Sequence, residues 1–529
     1  MSFSSLYIGA TGAIAYGDGM QTVGNNLANV NTTAYKHSDT LFQTLISKQM
    51  ATGSAPAGTS GSKISQMGMG VRTAAVKTCF KQGGLENTTT ATDMALSGEG
   101  FFGVRDAGSG DMFYTRDGTF RFDNEGYLLN SAGLRVQGAA IDRLTGSLSA
   151  IGDVVLPMED YTTATGETYR AVISAPKATE SMMLSTNLDF TSVDQVSDAA
   201  NPFFSLVGSW NGLNEDPLVS AGYTTSMKVY DEGGESHDLT FYFDKVDAST
   251  LTDPTPGYQY WEYMVAIDPD EDGSALAGTS SAGLVSCGTL AFNRDGLLMN
   301  QTAYALTGGA DGSVLSNWSL AGFDADGGFT FDVTFAPTSG GGGGTQTIGY
   351  TMGVTSSNGA WLSGGASNAA GIGTNVQDLA AMDGMFRDAY GTTNYNNGSM
   401  TLIANQDGYA QGFLQSLSVD DDGTLVGEFS NGQSEGLFKV GVYRFTNEFG
   451  LRREGGNLFS ATQESGAVIE GFAQENGSGK VYGSSLEMSN ADMANEFVEM
   501  ILFQRGIQAN TKVITTSDSL LQTAISIKR

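Results

Sequence analysis

The sequence predicts a mainly β protein with an α-helix at each end, the β-material forming one long insertion between them. Three observations predict this. Residues 1–35 carry one charged residue, Asp18, and place apolar or small residues at alternating steps of three and four. The last forty residues carry an apolar row at every seventh position. Between them the period falls to two, with glycine-rich turns, in a chain holding 72 glycines and only nine prolines.

The N-terminal row is Leu6, Gly9, Ala13, Tyr16, Met20, Val23, Leu27 and Val30. Its remaining faces are Ala, Ser, Thr, Gly and Asn, so the helix is expected to be buried on several sides. No other part of the first hundred residues offers an obvious lid. Gly9 and Ala13 stand where a coiled coil wants Leu or Ile, so such helices are expected to order when many copies pack together. The stretch NNLANVNTTAYK (25–36) then ends the helix. Asn25, Asn26, Asn29, Asn31 and Thr32 bond backbone groups locally and favour turns.

At the other end, Ser489-Asn490-Ala491-Asp492 reads as a capping box, with Ser489 at the N-cap, Asp492 three later, and Met488 and Met493 placed as a staple. Met493, Met500, Ile507, Ile514 and Leu521 recur every seven residues, and their companions four later begin with Phe497 and become half polar. A helix over 490–528 would be roughly 58 Å long.

The middle reads as strands and turns. VRTAAVKTCFKQGGL, GEGFFGVRD and MFYTRDGTFRFDNEGYLLNSAGLRVQG are short strands, with turns at Asp117-Gly118, Asn124-Glu125-Gly126 and Ala132-Gly133. Residues 226–245 and 260–273 each read as a hairpin. Residues 51–62 read as a flexible link, and 340–344 and 358–374 as loops. The β-material is thus one long insertion between two terminal helices.

A net charge of −31 argues against nucleic acid or an anionic membrane as partner. No apolar run reaches the roughly 18 residues of a membrane span, and the start lacks the basic region of a cleaved signal peptide. Cys79 and Cys287 cannot build a disulfide framework and read as small hydrophobes. Gly98–Gly103 is a literal GxGxxG, but a strand follows it where a dinucleotide site needs a helix. Asp268–Gly273 imitates a calcium loop whose twelfth position is Thr279, so an acidic turn is the better reading. With His37 and His237 the only histidines, a His-based triad or zinc site has almost no material. No enzyme, cofactor or metal site is expected.

These stretches resemble the flagellar hook proteins, within the rod–hook group of bacterial axial proteins. NNLANVNTTAYK is similar to the group's N-terminal signature and LEMSNADMANEFVEMILFQRGIQANTKVITTSDSLLQT (486–523) to its C-terminal one. SGEGFFGVRD, YTRDGTFRFDNEGYLLNSAGLRVQG and 407–433 look like its inner β-domain. KVYDEGGESHDLTFYFDK and LAFNRDGLLMN are similar, more loosely, to its outer one. Ala34 departs from a usual Gly, and Gly506-Ile507 from a usual Ala-Tyr. The resemblance implies a self-assembling, curved hollow tube whose bore is lined by both terminal helices, the rows above being the assembly interface. It implies that 1–36 and 486–529 form a coiled-coil-like inner-tube domain, that 37–85 is a connecting segment, and that the β-domains stack outward, an inner one from 86–157 with 401–485 and an outer one over 158–400 of one or two subdomains. It implies the rod, hook cap, hook–filament junction proteins and type III export apparatus as partners, and the extracellular hook as location. Two other readings stay open. A distal rod protein would be much shorter, lacking the stretch 158–400. A secreted β-rich adhesin or calcium-repeat protein should show a signal peptide or GGxGxDxxx repeats, and neither is present.

Overall fold

The computed structural model describes residues 2–50, 65–143, 145–162, 166–307, 309–336, 344–475 and 477–527. The link expected at 51–62 and four of the five glycines at 340–344 lie outside the described residues. The chain divides into two compact units, Met1–Ile173 with Leu414–Arg529, and Ser174–Phe413.

The first unit opens with α1 (Ser2–Ala28) and closes with α3 (Met493–Ile527). Gly17 and Gly19 do not interrupt α1. After α1 the chain turns and runs out as a two-stranded arm, Ser38–Thr44 antiparallel to Val71–Thr78. The β-material of this unit is woven from both halves of the chain. Gly138 faces Val440, Phe102 faces Val442, Tyr114 faces Phe459, Leu96 faces Val481 and Glu86 faces Leu486 across antiparallel pairs. Strand Phe101–Arg105 is buried on both faces, which is why two phenylalanines stand together there. Phe102 packs with Met94, Leu96, Val104 and Val440, and Phe101 with Tyr114, Tyr443, Phe445 and Phe459. The strands Met158–Thr162 and Thr168–Ser174 pair with each other, and the second neighbours Gly412–Val419 in the same sheet. They therefore belong to this unit and not to the outer domain expected over 158–400, because their sheet partner returns from the far side of that stretch.

The second unit holds a six-stranded antiparallel sheet that runs in chain order from Tyr223–Tyr230 to Trp318–Leu320. It also holds a five-stranded sheet with one parallel pair, Ser181–Asn187 beside Thr345–Thr351. The two share one core, with Phe241, Trp261, Tyr263 and Leu290 from the first and Phe331, Ile348 and Tyr350 from the second. The hairpin over 226–245 is formed. Residues 260–273 form no hairpin. They are one strand, Gln259–Ala266, followed by a tight turn at Pro269–Glu271, because the strand finds partners on both sides and needs no return of its own. In that turn the Asp268 side chain accepts the Asp270 N–H, and Asp272 accepts those of Ser274 and Gly283. The acidic stretch thus serves its own backbone.

Over the outer face of the six-stranded sheet lies the segment around α2 (Ser205–Ser209), with Phe203, Phe204, Leu206 and Trp210 buried. Two carboxylates hold it there. Asp244 accepts N–H bonds from Gln195 and Val196, and Glu262 accepts that of Leu206. Burial pushes the Asp244 carboxyl up to about 6, against the opposing pull of its backbone donors, and pushes Glu262 well above the usual range.

Both groups bind their protons more tightly folded than unfolded, so stability falls as pH rises, and for Asp244 the fall lies between about 4 and about 6. Acids held below their ordinary value, such as Asp311 and Asp407, act only below that window. All four tryptophans lie in this unit, at 210, 261, 318 and 361. Urea unfolding followed by tryptophan emission should therefore show the second unit more stable at pH 5 than at pH 7, by about 1 kcal/mol from Asp244 alone. Asp244→Asn should flatten that dependence.

Candidate functional site

The candidate site is built where the chain's two ends meet. α1 and α3 pack antiparallel, with Ser5 Oγ 3.0 Å from Ser517 Oγ and Asn26 Nδ2 donating to Glu496 Oε1 at 3.0 Å. The contact face of α1 is made of small residues: Gly9, Gly12, Ala15 and Gly19 are buried, followed by Val23 and Asn26. A Cβ on Gly12 would fall 2.5 Å from Asn510 Oδ1, on Gly9 3.0 Å from the Ile514 side chain, and on Gly19 3.0 Å from the Phe503 ring. The glycines are holes for these knobs. The converse holds at Gly506, where a Cβ would lie 3.0 Å from the Tyr16 ring. Tyr16, Phe42 of the arm and Phe503 form an aromatic trio with centroids 5.8–6.1 Å apart. α1 thus finds its lid in α3 and the arm.

Of the residues picked from sequence, Val23 is buried, and Leu6, Ala13, Met20 and Leu27 are half-buried. Val30 lies in the turn beyond the helix. On α3, Met500, Ile507, Ile514 and Leu521 are half-buried, whereas Met493 and Phe497 are exposed. The companions that face α1 lie three residues after the row, not four: Glu496, Phe503, Asn510 and Ser517. Helical geometry puts both spacings on one side of the row or the other, and the polar choice wins because Asn26, Gly12 and Ser5 await it.

The start of α3 also differs from the capping box. Asp492 is the N-cap, its Oδ1 accepting the Ala494 N–H at 2.8 Å. Ser489, expected at the N-cap, instead accepts the Ala491 N–H in the preceding turn. The helix starts three residues later because Asn490 is committed elsewhere. Its Oδ1 accepts the His37 N–H, and its Nδ2 donates to the carbonyls of Cys79 and Lys81.

The helix ends later than the polar stretch suggests: Asn25 and Asn26 lie within the last turn of α1, and the chain turns only from Asn29 on. Asn29 Nδ2 donates to the Asn25 carbonyl, and Thr32 Oγ1 to Asn29 Oδ1. Asn25 donates to the Tyr35 hydroxyl, and Asn31 is exposed. Asn26 holds the chain as it leaves, its Nδ2 donating to the Ser38 carbonyl and its Oδ1 accepting the Ser38 N–H. Ala34 adopts φ +56, the left-handed region where glycine is at ease.

The centre of the joint escaped sequence reasoning. Lys36 Nζ lies 2.6 Å from Glu487 Oε1, both side chains fully buried, and also donates to the Lys81 carbonyl. Glu487 Oε1 accepts the Gly83 N–H as well, and Arg116 stands 3.5 Å from Oε2. Arg453 donates to the Lys36 carbonyl and Asn457 to that of Thr33. Burial pulls the Lys36 ammonium and the Arg116 guanidinium below their ordinary values, and Glu487 opposes both shifts. The constellation is a clamp. Among the described residues no group of three or more His, Cys, Asp or Glu is placed to hold a metal ion.

Comparison with known proteins decides the family. The family described as "Flagellar hook protein FlgE/F/G D1 domain" matches residues 95–186, "Flagellar basal body protein FlaE D2 domain" matches 209–409, and "Flagellar basal body rod FlgEFG protein C-terminal" matches 483–527. The flagellar hook protein FlgE of Treponema pallidum is 30% identical over 99% of both chains. The chain belongs to the flagellar hook protein family. FlgE of Borreliella burgdorferi is 29% identical over 99% of both chains, and that of Escherichia coli K12 26% identical over the whole of both. The chain is therefore a structural subunit of the flagellar hook, and the clamp and helix pair are features of a hook protein.

Glu487→Gln should cost this hook protein about 3–5 kcal/mol, because two buried cations lose their countercharge. Hydrogen exchange across 29–38 and 483–492 should quicken accordingly. Ala34→Gly should stabilise by up to about 1 kcal/mol through relief of the left-handed strain, read as a higher midpoint for the same amides.

Proposed function

We propose that this chain polymerises into a curved hollow tube that acts as a universal joint passing motor torque to the filament. In this reading the terminal helices line the bore and the β-domains face outward. One observation carries it. On α3, Phe497, Val498, Ile501 and Leu502 are 46–60% exposed, forming an apolar patch within two helical turns. Water does not favour leaving such a patch bare, and a patch of this kind marks a protein contact. A subunit that repeats the contact in every copy gains a continuous inner ring.

Bending needs a different material. As a curved tube rotates, each subunit passes from the inside of the bend to the outside, so neighbour contacts lengthen and shorten in every turn. The unit Ser174–Phe413 carries 27 acidic against five basic residues, −22 of the chain's −31. Hydrated polar faces exchange partners at small cost, and like charges keep them from locking. The rod, hook cap, hook–filament junction proteins and type III export apparatus are the further partners this reading gives the chain, with the extracellular hook as its place.

Met500→Asp and Ile507→Asp each place a charge in the half-buried apolar row of α3, at a cost of a few kcal/mol per subunit. Both variants should keep native tryptophan emission, which reports only the unit Ser174–Phe413, and should form no tubes by electron microscopy. Normal tubes from either variant would defeat the proposed helix ring.

A further inference from the structure

The apolar patch on α3 has a counterpart on the same chain. An open groove of about 1160 Å³ runs between the outward side of α1, the arm and the loop before strand Arg452–Gly455. Asp18 and Gln21 of α1 form one wall, Leu41 and Val76 of the arm the second, and Phe449 and Leu451 the third. No residue of α3 lines it, since α3 covers the opposite side of α1. Leu41, Val76 and Phe449 are all exposed. Lys77 stands at this groove with its Nζ 4.2 Å above the Phe449 ring, and no carboxylate lies within ion-pair distance of it among the described residues.

The patch carries the matching charge. Glu499 lies beside Val498 and Leu502 on the exposed side of α3 and likewise has no cation within ion-pair distance among the described residues. Apolar groups at 498, 501 and 502 present the i, i+3, i+4 spacing that a groove reads from a helix.

We infer that the groove seats the first turns of α3, Phe497–Leu502, from a second copy of this chain, with Glu499 of that copy paired to Lys77. This rests on the proposed homopolymer and names one of its contacts. Groove and patch are different surfaces of one subunit, so the contact is head-to-tail. Such a contact does not end at a two-fold dimer: it generates a ring if the rotation between copies closes and an open helical array if it does not, and the proposed tube requires the second. An isologous dimer would require the patch to meet itself, which sets Glu499 against Glu499.

The test is a charge exchange read as assembly. Lys77→Glu and Glu499→Lys should each raise the critical concentration for tube formation about tenfold, while thermal unfolding of the monomer stays near that of the wild type. The double exchange K77E/E499K should restore assembly to within about threefold, which a folding defect in either single variant would not allow. A second measurement is independent of charge. In a Cys79→Ser background, Val76→Cys with Leu502→Cys should give disulfide-linked ladders in oxidised tubes, and either cysteine alone should give none. Wild-type tubes with unaffected single variants, an unrestored double variant, or no ladder would overturn the contact while leaving the homopolymer standing. Absence of wild-type tubes would overturn the homopolymer and the contact with it.

Discussion

Two passages of chain 451 residues apart are held together by one buried carboxylate. Glu487 takes the Lys36 ammonium, the Gly83 N–H and the neighbourhood of Arg116 into a space closed to solvent. Three passages of the chain meet there: the exit from α1, the return from the arm, and the approach to α3. A buried ion pair adds little net stability over an apolar filling, but it tolerates no wrong partner. Its value here is specificity, because several alternating strands could slip register whereas a lysine without its glutamate could not stay buried. With the clamp set, Asn26, Asn490 and Asp492 follow in order, and α1 and α3 have one way to lie.

That clamp lets the helices be weak. α1 presents glycines to α3, which permits close approach but removes little apolar surface from water. The apolar side chains of α3 are divided between a row turned to α1 and a patch left exposed, so one chain cannot bury both. An isolated helix pair of this kind would be marginal. Tied at one end to a broad β-structure, it can keep an unsatisfied face until another copy meets it.

Several features were legible in the sequence for physical reasons. Met500, Ile507, Ile514 and Leu521 show themselves because apolar residues at a seven-residue spacing fall on one stripe of a helix. The double phenylalanine of Phe101-Phe102 and the glycine turns betray strands. The companion row did not, because its members Glu496, Asn510 and Ser517 are polar and are matched to Asn26, Gly12 and Ser5 on another helix. Ser489 looked like a cap because cap chemistry is local, while the bonds that move the helix start to Asp492 come from His37, Cys79 and Lys81, some four hundred residues away. Gly506 reads as a departure from the family pattern until Tyr16 is seen filling the space. Lys36 and Glu487 left only a faint trace: a cation ending a neutral stretch, and an acid between Leu486 and Met488.

In the proposed tube, α1 and α3 close on each other within one chain and leave the apolar start of α3 for a neighbour. The decisive measurement is a density map of the assembled tube at side-chain resolution. Gly9 should lie against Ile514 and Gly12 against Asn510 within each subunit, with Phe497, Val498, Ile501 and Leu502 covered by another subunit. A map in which those four side chains face solvent in the finished tube would contradict that arrangement.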